Sequence, residues 1–208
     1  MKAISSEDIA QYDKRFRTNL INSLTDFKSV ALIGTINEEA VENLAIFSQI
    51  FHVGANPPLI GILFRPHVVS RHTLENILKT NSFTINHINQ DFLRQAHHTS
   101  ARWEVSEFEG CDLHPEYSEA IKAPYVMEAH IQIGCTLAER QTLQVNQTEL
   151  VVGEIREVRL KDDYILEDGF IDIEKAGTLT CSGLDSYHST NKIVRYSYAK
   201  PDKQPEEI

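Results

Sequence analysis

The chain has no long hydrophobic run and few cysteines. No apolar stretch approaches the roughly 18 residues that a membrane-spanning helix needs, and the first seven residues lack the apolar core of a signal peptide. The three cysteines, Cys111, Cys135 and Cys181, are an odd number without the spacing of a metal site. These absences predict a cytoplasmic protein with reduced thiols and no membrane partner.

Several common catalytic and nucleotide-binding motifs are also missing. The sequence contains no G-x-G-x-x-G, no P-loop, no G-x-S-x-G and no HExxH. Of the nine histidines, only His97 and His98 are adjacent, and on a helix they would point about 100° apart, which is poor geometry for one metal ion. We therefore expect no metal site and no Rossmann or Walker nucleotide site.

Charge and length restrict the class of protein further. The 20 basic and 30 acidic residues give a formal net charge of −10, which argues against nucleic acid as the main partner because phosphate backbones require a basic face. The 208 residues show no repeat and no low-complexity linker, and 41% of them are hydrophobic. This composition predicts a single domain over residues 1–208 with a sizeable core.

Hydrophobic spacing predicts a mainly β chain with a few helices. An amphipathic helix is expected over 6–24, with Ser5 or Ser6 as its N-cap, because apolar residues recur there every three to four positions. Two shorter helices are expected over 70–80 and 91–100. Strands are expected over 28–36, 43–53, 59–64, 82–88, 126–137, 143–158 and 192–198. Several long strands with few helices favour a barrel or a sandwich with peripheral helices.

A basic, hydroxyl-rich loop opens the predicted helix at residue 70. Ser70, Arg71, His72 and Thr73 would place a guanidinium and two hydroxyl groups beside the free N–H groups of a helix start, which together suit a phosphate. Arg65, just upstream, would add a second charge. The alternative is an N-cap serine followed by a solvated arginine.

A second candidate is the strand Asn43-Leu44-Ala45-Ile46-Phe47-Ser48, in which polar residues flank an apolar run. Backbone groups and small side chains along such a strand suit a flat heteroaromatic ring with one polar and one apolar end. The alternative is a plain buried strand with polar ends.

These segments together resemble the flavin reductase-like family of FMN-binding proteins. The matching pieces also include Phe83-Thr84-Ile85-Asn86, Ser106-Glu107-Phe108 and Gly183-Leu184-Asp185-Ser186-Tyr187, and they occur in the family's order. The resemblance implies an antiparallel, Greek-key split β-barrel that forms a homodimer and binds FMN near the subunit interface. Two residues depart from the family pattern, since Ile46 stands where many relatives have proline and His72 where many have aspartate.

The resemblance also implies roles for individual residues. The strand from Asn43 to Ser48 would lie along the isoalloxazine, and Arg65 with Ser70, Arg71, His72 and Thr73 would hold the phosphate. Asn86 joins the implied cofactor-binding set. Tyr187 would lie near the flavin and shape the access of nicotinamide, or alternatively would pack on the surface beside a turn.

The expected activity is hydride transfer from NADH or NADPH to flavin. The cofactor carries this chemistry, so no side-chain acid or base is assigned. One alternative is an FMN-binding electron carrier without direct NAD(P)H turnover. Another is a split barrel that binds haem or pyridoxal phosphate instead of flavin.

Overall fold

A computed structural model describes residues 1–67 and 71–208, and a seven-stranded antiparallel sheet forms its centre. In chain order the strands are β1 Lys28–Ser29, β2 Ala31–Ile36, β3 Glu42–Phe47, β4 Ile50–Ala55, β5 Pro58–Phe64, β6 Ser82–His87, β7 Pro115–Glu116, β8 Tyr125–Val126, β9 Ile131–Leu143, β10 Thr148–Leu160, β11 Thr180–Ser182 and β12 Ser186–His188. The helices are α1 Ser6–Gln11, α2 Lys14–Ser23, α3 His72–Thr80, α4 Leu93–His98 and α5 Glu107–Gly110, with 3-10 turns at Gln90–Phe92 and Asp162–Tyr164.

The large sheet curls into a barrel because its two edge strands are consecutive in the chain. Its strand order is β3-β2-β6-β9-β10-β5-β4. Only Ser48 and Gln49 separate β3 from β4, so one continuous segment pairs first with β2 and then with β5. The amide of Leu63 donates to the carbonyl of Gln49 at 3.0 Å across this corner. The predicted antiparallel split barrel with peripheral helices is confirmed.

Alternation along β2 divides the core between the two faces of the sheet. Ala31 and Ile33 point into a cluster with Leu74 and Ile77 of α3 and with residues of β5, β6, β9 and β10. Leu32 points to the opposite side, into a second cluster that includes Phe108 of α5 and residues of α4. Helices therefore cover β2 and its neighbour β3 on both faces.

The predicted helix over 6–24 is two helices. Ser5 caps α1 as predicted, with a capping box to Asp8. The chain then becomes extended at Tyr12, and Asp13 starts α2 by accepting from the amides of Arg15 and Phe16. Asp13 ends the first helix because its carboxylate caps the second.

The boundaries predicted for the two long strands were wrong. A turn at 127–129 delays the start of β9 to Ile131, and the hairpin to β10 falls at residues 144–147 instead of 138–142. Residues 139–142 are polar, yet they pair with β10. Arg140 donates to Glu149 at 2.9 Å and 3.0 Å, and the hydroxyl of Thr142 donates to the same carboxylate. These cross-strand bonds keep a polar segment in the ladder.

The last predicted strand, over 192–198, does not form. The segment makes only an isolated bridge between Tyr196 and Glu207, and Ile193 and Tyr198 are almost fully exposed. Among residues 1–67 and 71–208 no strand pairs with it along its length. The sequence prediction missed instead the small sheet β1-β11-β12, whose members are two or three residues long. None of the described helices has the length and apolar character needed to cross a membrane.

His87 at the end of β6 gives the fold a predicted pH dependence. Burial of the imidazole lowers the pKa of His87 to about 4, and its Nδ1 is 3.1 Å from the hydroxyl of Thr178. Because the unfolded chain has a pKa near 6.5 at this position, the unfolded state binds more protons between these values. We expect the free energy of unfolding to fall by about 2–3 kcal/mol as the pH falls from about 6.5 to about 4.

Urea unfolding at a series of pH values checks this expectation, with His87→Gln as the comparison. Carboxylates such as Glu149, whose pKa is lowered by Arg140, add their own loss at lower pH. An equally steep pH dependence above about pH 4.5 in His87→Gln would contradict the assignment.

Candidate functional site

A cavity of about 500 Å³ lies beside the edge strand β3, and we call it the β3 cleft. It is lined by Asn22, Asn43, Ala45, Ile46, Phe47, Ser48, Gln49, Leu63, Phe64, Arg65, Arg71, His72, Thr73, Thr99, Ser100, Ala101, Glu107 and Leu184. Ligand pockets in proteins commonly measure roughly 300–1,000 Å³. The β3 cleft has the volume for a cofactor of nucleotide size.

The two faces of β3 have different surroundings. Asn43, Ala45 and Phe47 pair with Thr35, Ile33 and Ala31 of β2, and so face the barrel and α3. Leu44 is fully buried on the opposite face, where Ile46 packs against the same cluster. The side chain of Leu44 therefore lies in the core, and only its backbone is close to the cleft.

As the edge strand, β3 leaves part of its backbone for other partners. The amide of Leu44 donates to Oε2 of Glu107 at 3.0 Å and thus points away from β2. Antiparallel alternation turns the backbone of Ile46 to the same side, where Ile46 lines the cleft. The carboxylate of Glu107 accepts from the outward amide of Leu44. The outward backbone of Ile46 can therefore hydrogen-bond to the polar edge of a planar ligand.

The basic end of the cleft contains Arg65 and Arg71. Arg65 directly follows β5 and is exposed, while Arg71 is half-buried at the start of α3. Nε of Arg71 donates to the carbonyl of Pro66 at 3.1 Å, which orients the guanidinium. Across residues 1–67 and 71–208 neither arginine forms an ion pair, whereas Arg140 and Arg159 pair with carboxylates. Two such cations beside a helix start favour an anionic ligand.

A buried polar network holds the first turn of α3 against β3. Nδ2 of Asn43 donates to the hydroxyls of Thr35 and Thr73, at 3.1 Å and 3.0 Å. Asn76 donates to the same Thr35 hydroxyl at 3.2 Å. Thr73 and Asn43 both line the cleft, and their hydrogen bond connects β3 to α3. His72 is exposed beside them.

Most of the residues that the sequence predicts for the cofactor line this one cleft, while the described residues Leu44, Asn86 and Tyr187 are not among its lining. Asn86 is fully buried, donates to the carbonyl of Leu32 and to Thr84, and accepts from the amide of Val126. These core contacts keep it out of the cleft. Ser70 lies outside the described residues.

Tyr187 lies in a pocket of about 200 Å³ that adjoins the cleft, which we call the Tyr187 pocket. It is lined by Val30, Ile46, Phe47, Ser48, Arg65, His97, Ser100, Cys181, Leu184 and Tyr187, six of which also line the cleft. The hydroxyl of Tyr187 is 2.6 Å from Nδ1 of His97, and the two rings meet edge to face. Burial raises the pKa of Tyr187 to about 12, and nearby Cys181 and Asp185 add to the shift.

No role was predicted from the sequence for Glu107 or His97, although Glu107 lies in a segment that resembles the family. Each meets its partner only in the fold, since Glu107 bonds a residue 63 positions away and His97 one 90 positions away. Ser106 caps α5 through the amide of Phe108, which sets Glu107 in the first turn toward β3. No pattern in the neighbouring sequence predicts either contact. Among residues 1–67 and 71–208 no group of three His, Cys, Asp or Glu side chains could hold a metal ion.

Lys28 ties together two segments that border the cleft. Its ammonium is buried and donates to the carbonyl of Gly183 at 2.6 Å and to that of Asn22 at 3.4 Å. Asn22 in α2 and Leu184 in the turn after β11 both line the cleft. That turn requires Gly183, whose φ is +61°.

Lys28→Met is expected to loosen both segments and weaken ligand binding in the cleft by roughly tenfold, because hydrogen bonds from a charged group contribute about 1.5–3 kcal/mol. Calorimetric titration with FMN checks this, with Lys122→Met, an exposed position, as the control. Unchanged affinity in a folded Lys28→Met protein would remove Lys28 from the site.

With this geometry established, comparison with known proteins identifies the family. The family model described as "Flavin reductase like domain" matches residues 27–172. The chain belongs to this family. The match contains β3, α3, Arg65 and Arg71, and ends before β12, the strand that carries Tyr187.

Several solved structures are similar to this chain. A split-barrel protein from Shewanella frigidimarina NCIMB 400, named as a candidate flavin reductase, is 45% identical with a TM-score of 0.92, over 96% of this chain and 100% of that one. Nitrilotriacetate monooxygenase component B from Bacillus cereus is 22% identical with a TM-score of 0.81, over 94% and 98% of the chains. Flavoredoxin of Desulfovibrio vulgaris (Miyazaki F) is also 22% identical, with a TM-score of 0.70 over 85% and 92%. The last two show the fold alone.

Proposed function

We propose that the β3 cleft binds FMN and that the chain transfers a hydride from NADH or NADPH to it. The observation that carries the proposal is the meeting, in one cleft, of two arginines without carboxylate partners among the described residues and an edge strand with outward backbone groups. The first feature suits a phosphate and the second suits the pyrimidine edge of an isoalloxazine. Membership of a flavin reductase-like family supports a flavin as the ligand.

The phosphate would lie at the basic end of the cleft. Arg71 and Arg65 supply charge, and the hydroxyl of Thr73, which accepts from Asn43, keeps its own hydrogen to donate. The first amides of α3 add a partial positive charge. A phosphate dianion matches this set of donors better than a neutral ligand does.

The ring system would lie along β3 from Ala45 to Ser48. Ala45 leaves room for a flat ring, and the side chains of Ile46 and Phe47 provide apolar contact. The outward backbone of Ile46 lies where the polar edge of the ring would face. Pyridoxal phosphate also carries a phosphate and a flat ring, so it is membership of the flavin reductase-like family that favours FMN over this alternative. Haem, which has no phosphate, gains no support from the basic end of the cleft.

Bound FMN would accept the hydride at its ring system and supply the redox chemistry. The residues of the cleft would bind and orient the two ring systems. Phe47 and Leu184 line both the cleft and the Tyr187 pocket, and they would exclude water from the boundary between bound ring systems. Glu107 fixes the position of β3 through Leu44.

We also propose that the chain works as a homodimer in the cytoplasm. Large apolar side chains stay exposed on the single chain, including Phe16, Leu24 and Phe27 near its start and Ile193 and Tyr198 near its end. A dimer interface would cover such residues. Light scattering at micromolar concentration with FMN bound tests this, and a monomeric mass would contradict it.

Anaerobic mixing of the FMN-loaded protein with NADH and with NADPH tests the reaction. The proposal predicts that one of them bleaches the yellow flavin absorbance with a stoichiometry of about one nicotinamide per FMN, because each hydride carries two electrons. Tight FMN binding without bleaching by either nicotinamide would identify an electron carrier instead. A protein that binds no FMN would contradict both functions.

A further inference from the structure

The Tyr187 pocket contains a proton-donating pair directly beside the proposed flavin site. The hydroxyl of Tyr187 is 2.6 Å from Nδ1 of His97, and His97 is exposed to solvent while Tyr187 is half-buried. Transfer of a hydride from NAD(P)H to flavin needs no such acid. The pair therefore points to the second half of the cycle, in which reduced flavin passes its electrons on.

The pocket has the size and lining for a small organic acceptor. Its volume is about 200 Å³, and Val30, Ile46 and Leu184 make much of its wall apolar. It shares six lining residues with the β3 cleft, so an occupant would lie next to a flavin along β3. Arg65 also lines it and can stabilise negative charge that develops on an acceptor.

We propose that the Tyr187 pocket binds an electron-poor carbon–carbon double bond conjugated to a carbonyl, and that Tyr187 protonates it after hydride transfer. The inference rests on the proposed function, which supplies the reduced flavin. The hydride adds to the β-carbon and carries both electrons, the flavin is oxidised, and an enolate forms. Tyr187 then gives its hydroxyl proton to the α-carbon, which completes the saturated carbonyl compound.

The hydrogen bond to His97 provides a route by which Tyr187 regains its proton. As the phenolate of Tyr187 forms, Nδ1 of His97 passes it a proton, and Nε2 of this exposed residue takes one from solvent. His97 therefore ends in its other tautomer and acts as a positioning residue. The pKa of about 12 keeps Tyr187 protonated at neutral pH, and an enolate is a strong enough base to remove that proton.

The acceptor's class follows from the position of a phenol beside the pocket, because a phenol is a weak acid. Tyr187 is a weak acid, so it can protonate only a product anion that is more basic than phenolate. An enolate protonated at carbon meets this condition. An acceptor that takes electrons without protons would gain nothing from Tyr187 or His97.

The test separates proton-dependent from proton-independent acceptors. The FMN-loaded protein is reduced by light under argon and then mixed with 2-cyclohexen-1-one or with ferricyanide, which accepts single electrons and no proton. In Tyr187→Phe the ratio of the enone rate to the ferricyanide rate should fall by roughly a hundredfold, the usual contribution of a general acid. Tyr198→Phe, in the exposed end of the chain, is the matched control and should keep the ratio.

The flavin-free protein gives a second measurement. Nitrogen-15 NMR of the histidine rings should show the Nδ1–H tautomer for His97, because this form turns the Tyr187 hydrogen toward the pocket. Tyr187→Phe should shift the His97 resonances, whereas Tyr198→Phe should leave them in place. The Nε2–H tautomer would overturn the proposal.

The outcomes distinguish this inference from the proposed function. An unchanged ratio in Tyr187→Phe, or wild-type protein that does not reduce the enone, would overturn the pocket's role and leave NAD(P)H-dependent flavin reduction intact. Light-reduced protein that shows the expected ratio but is not bleached by NADH or NADPH would support the pocket and contradict the reductase. Failure to bind FMN would overturn both.

Discussion

Arg71→Ala is expected to weaken FMN binding by roughly ten- to a hundredfold while changing riboflavin binding little. Arg71 is oriented at the start of α3 by its bond to the carbonyl of Pro66, and Arg65 lies in the same cleft. Loss of a charge-assisted hydrogen bond to phosphate costs about 1.5–3 kcal/mol, and 1.4 kcal/mol corresponds to about a tenfold change in affinity. Riboflavin has no phosphate to lose. Calorimetric titration with both ligands measures the difference.

Arg94→Ala is the matched control for this variant. Arg94 is exposed on α4 and does not line the cleft, so its loss changes the net charge equally without removing a proposed ligand contact. Its FMN affinity should stay within about twofold of the wild type, because exposed charges at a distance are screened by salt. If Arg71→Ala weakens FMN and riboflavin equally, the phosphate assignment is wrong.

Gly34→Ala should destabilise the barrel by about 3 kcal/mol, toward the upper end of the cost of overpacking a core. A Cβ at Gly34 would overlap the carbonyl oxygen of Pro124 and lie 2.5 Å from the hydroxyl of Thr84. That hydroxyl donates to the Pro124 carbonyl at 2.6 Å, so the methyl group would separate a buried pair. Backbone on one side and β6 on the other leave little freedom to adjust.

Urea denaturation followed by circular dichroism gives the free energy of unfolding, and Gly54→Ala provides the comparison. A Cβ at Gly54 would come no closer than 3.3 Å to the carbonyl of Pro57, so about 1 kcal/mol or less is expected there. Equal stability of the two variants would show that β2 is not held against Pro124 as described.

Local sequence patterns predicted a strand over 43–53 and a helix over 70–80, and the structure divides the first into β3 and β4 at Ser48 and Gln49. Asn43, Ala45 and Phe47 alternate with Leu44 and Ile46, and this period of two fixes which side chains share a face. Arg71 and Thr73 stand at the start of a helix with an apolar face, so their position beside a helix N-terminus follows from the same pattern.

Contacts between distant parts of the chain could not be predicted in this way. Lys28 bonds Gly183 across 155 positions, and His97 meets Tyr187 across 90. Neither residue differs in its neighbours from an ordinary exposed lysine or histidine. The resemblance to the family placed Asn86 near the cofactor, yet the buried hydrogen bonds of its side chain keep it in the core.

The predicted strands were wrong where the polarity of a segment disagrees with its pairing in the sheet. Residues 139–142 are polar and yet extend β9, because Arg140 and Thr142 bond to Glu149 on the neighbouring strand. The segment 192–198 has the alternation of a strand but no sheet edge to join. In both cases the presence of a pairing strand determines whether the segment forms a strand. The local sequence does not show which segment it will pair with.

The central claim is that FMN occupies the β3 cleft, and filling the cleft tests it most directly. Quenching of flavin fluorescence measures FMN binding to the wild type, to Ala45→Phe and to Ala138→Phe, which carries the same substitution at an exposed position of β9. We predict one FMN per chain for the wild type and Ala138→Phe. Ala45→Phe should bind more than roughly tenfold more weakly, because a phenyl ring would take the volume that the isoalloxazine needs. Wild-type affinity in a folded Ala45→Phe protein would contradict the account and place the flavin elsewhere.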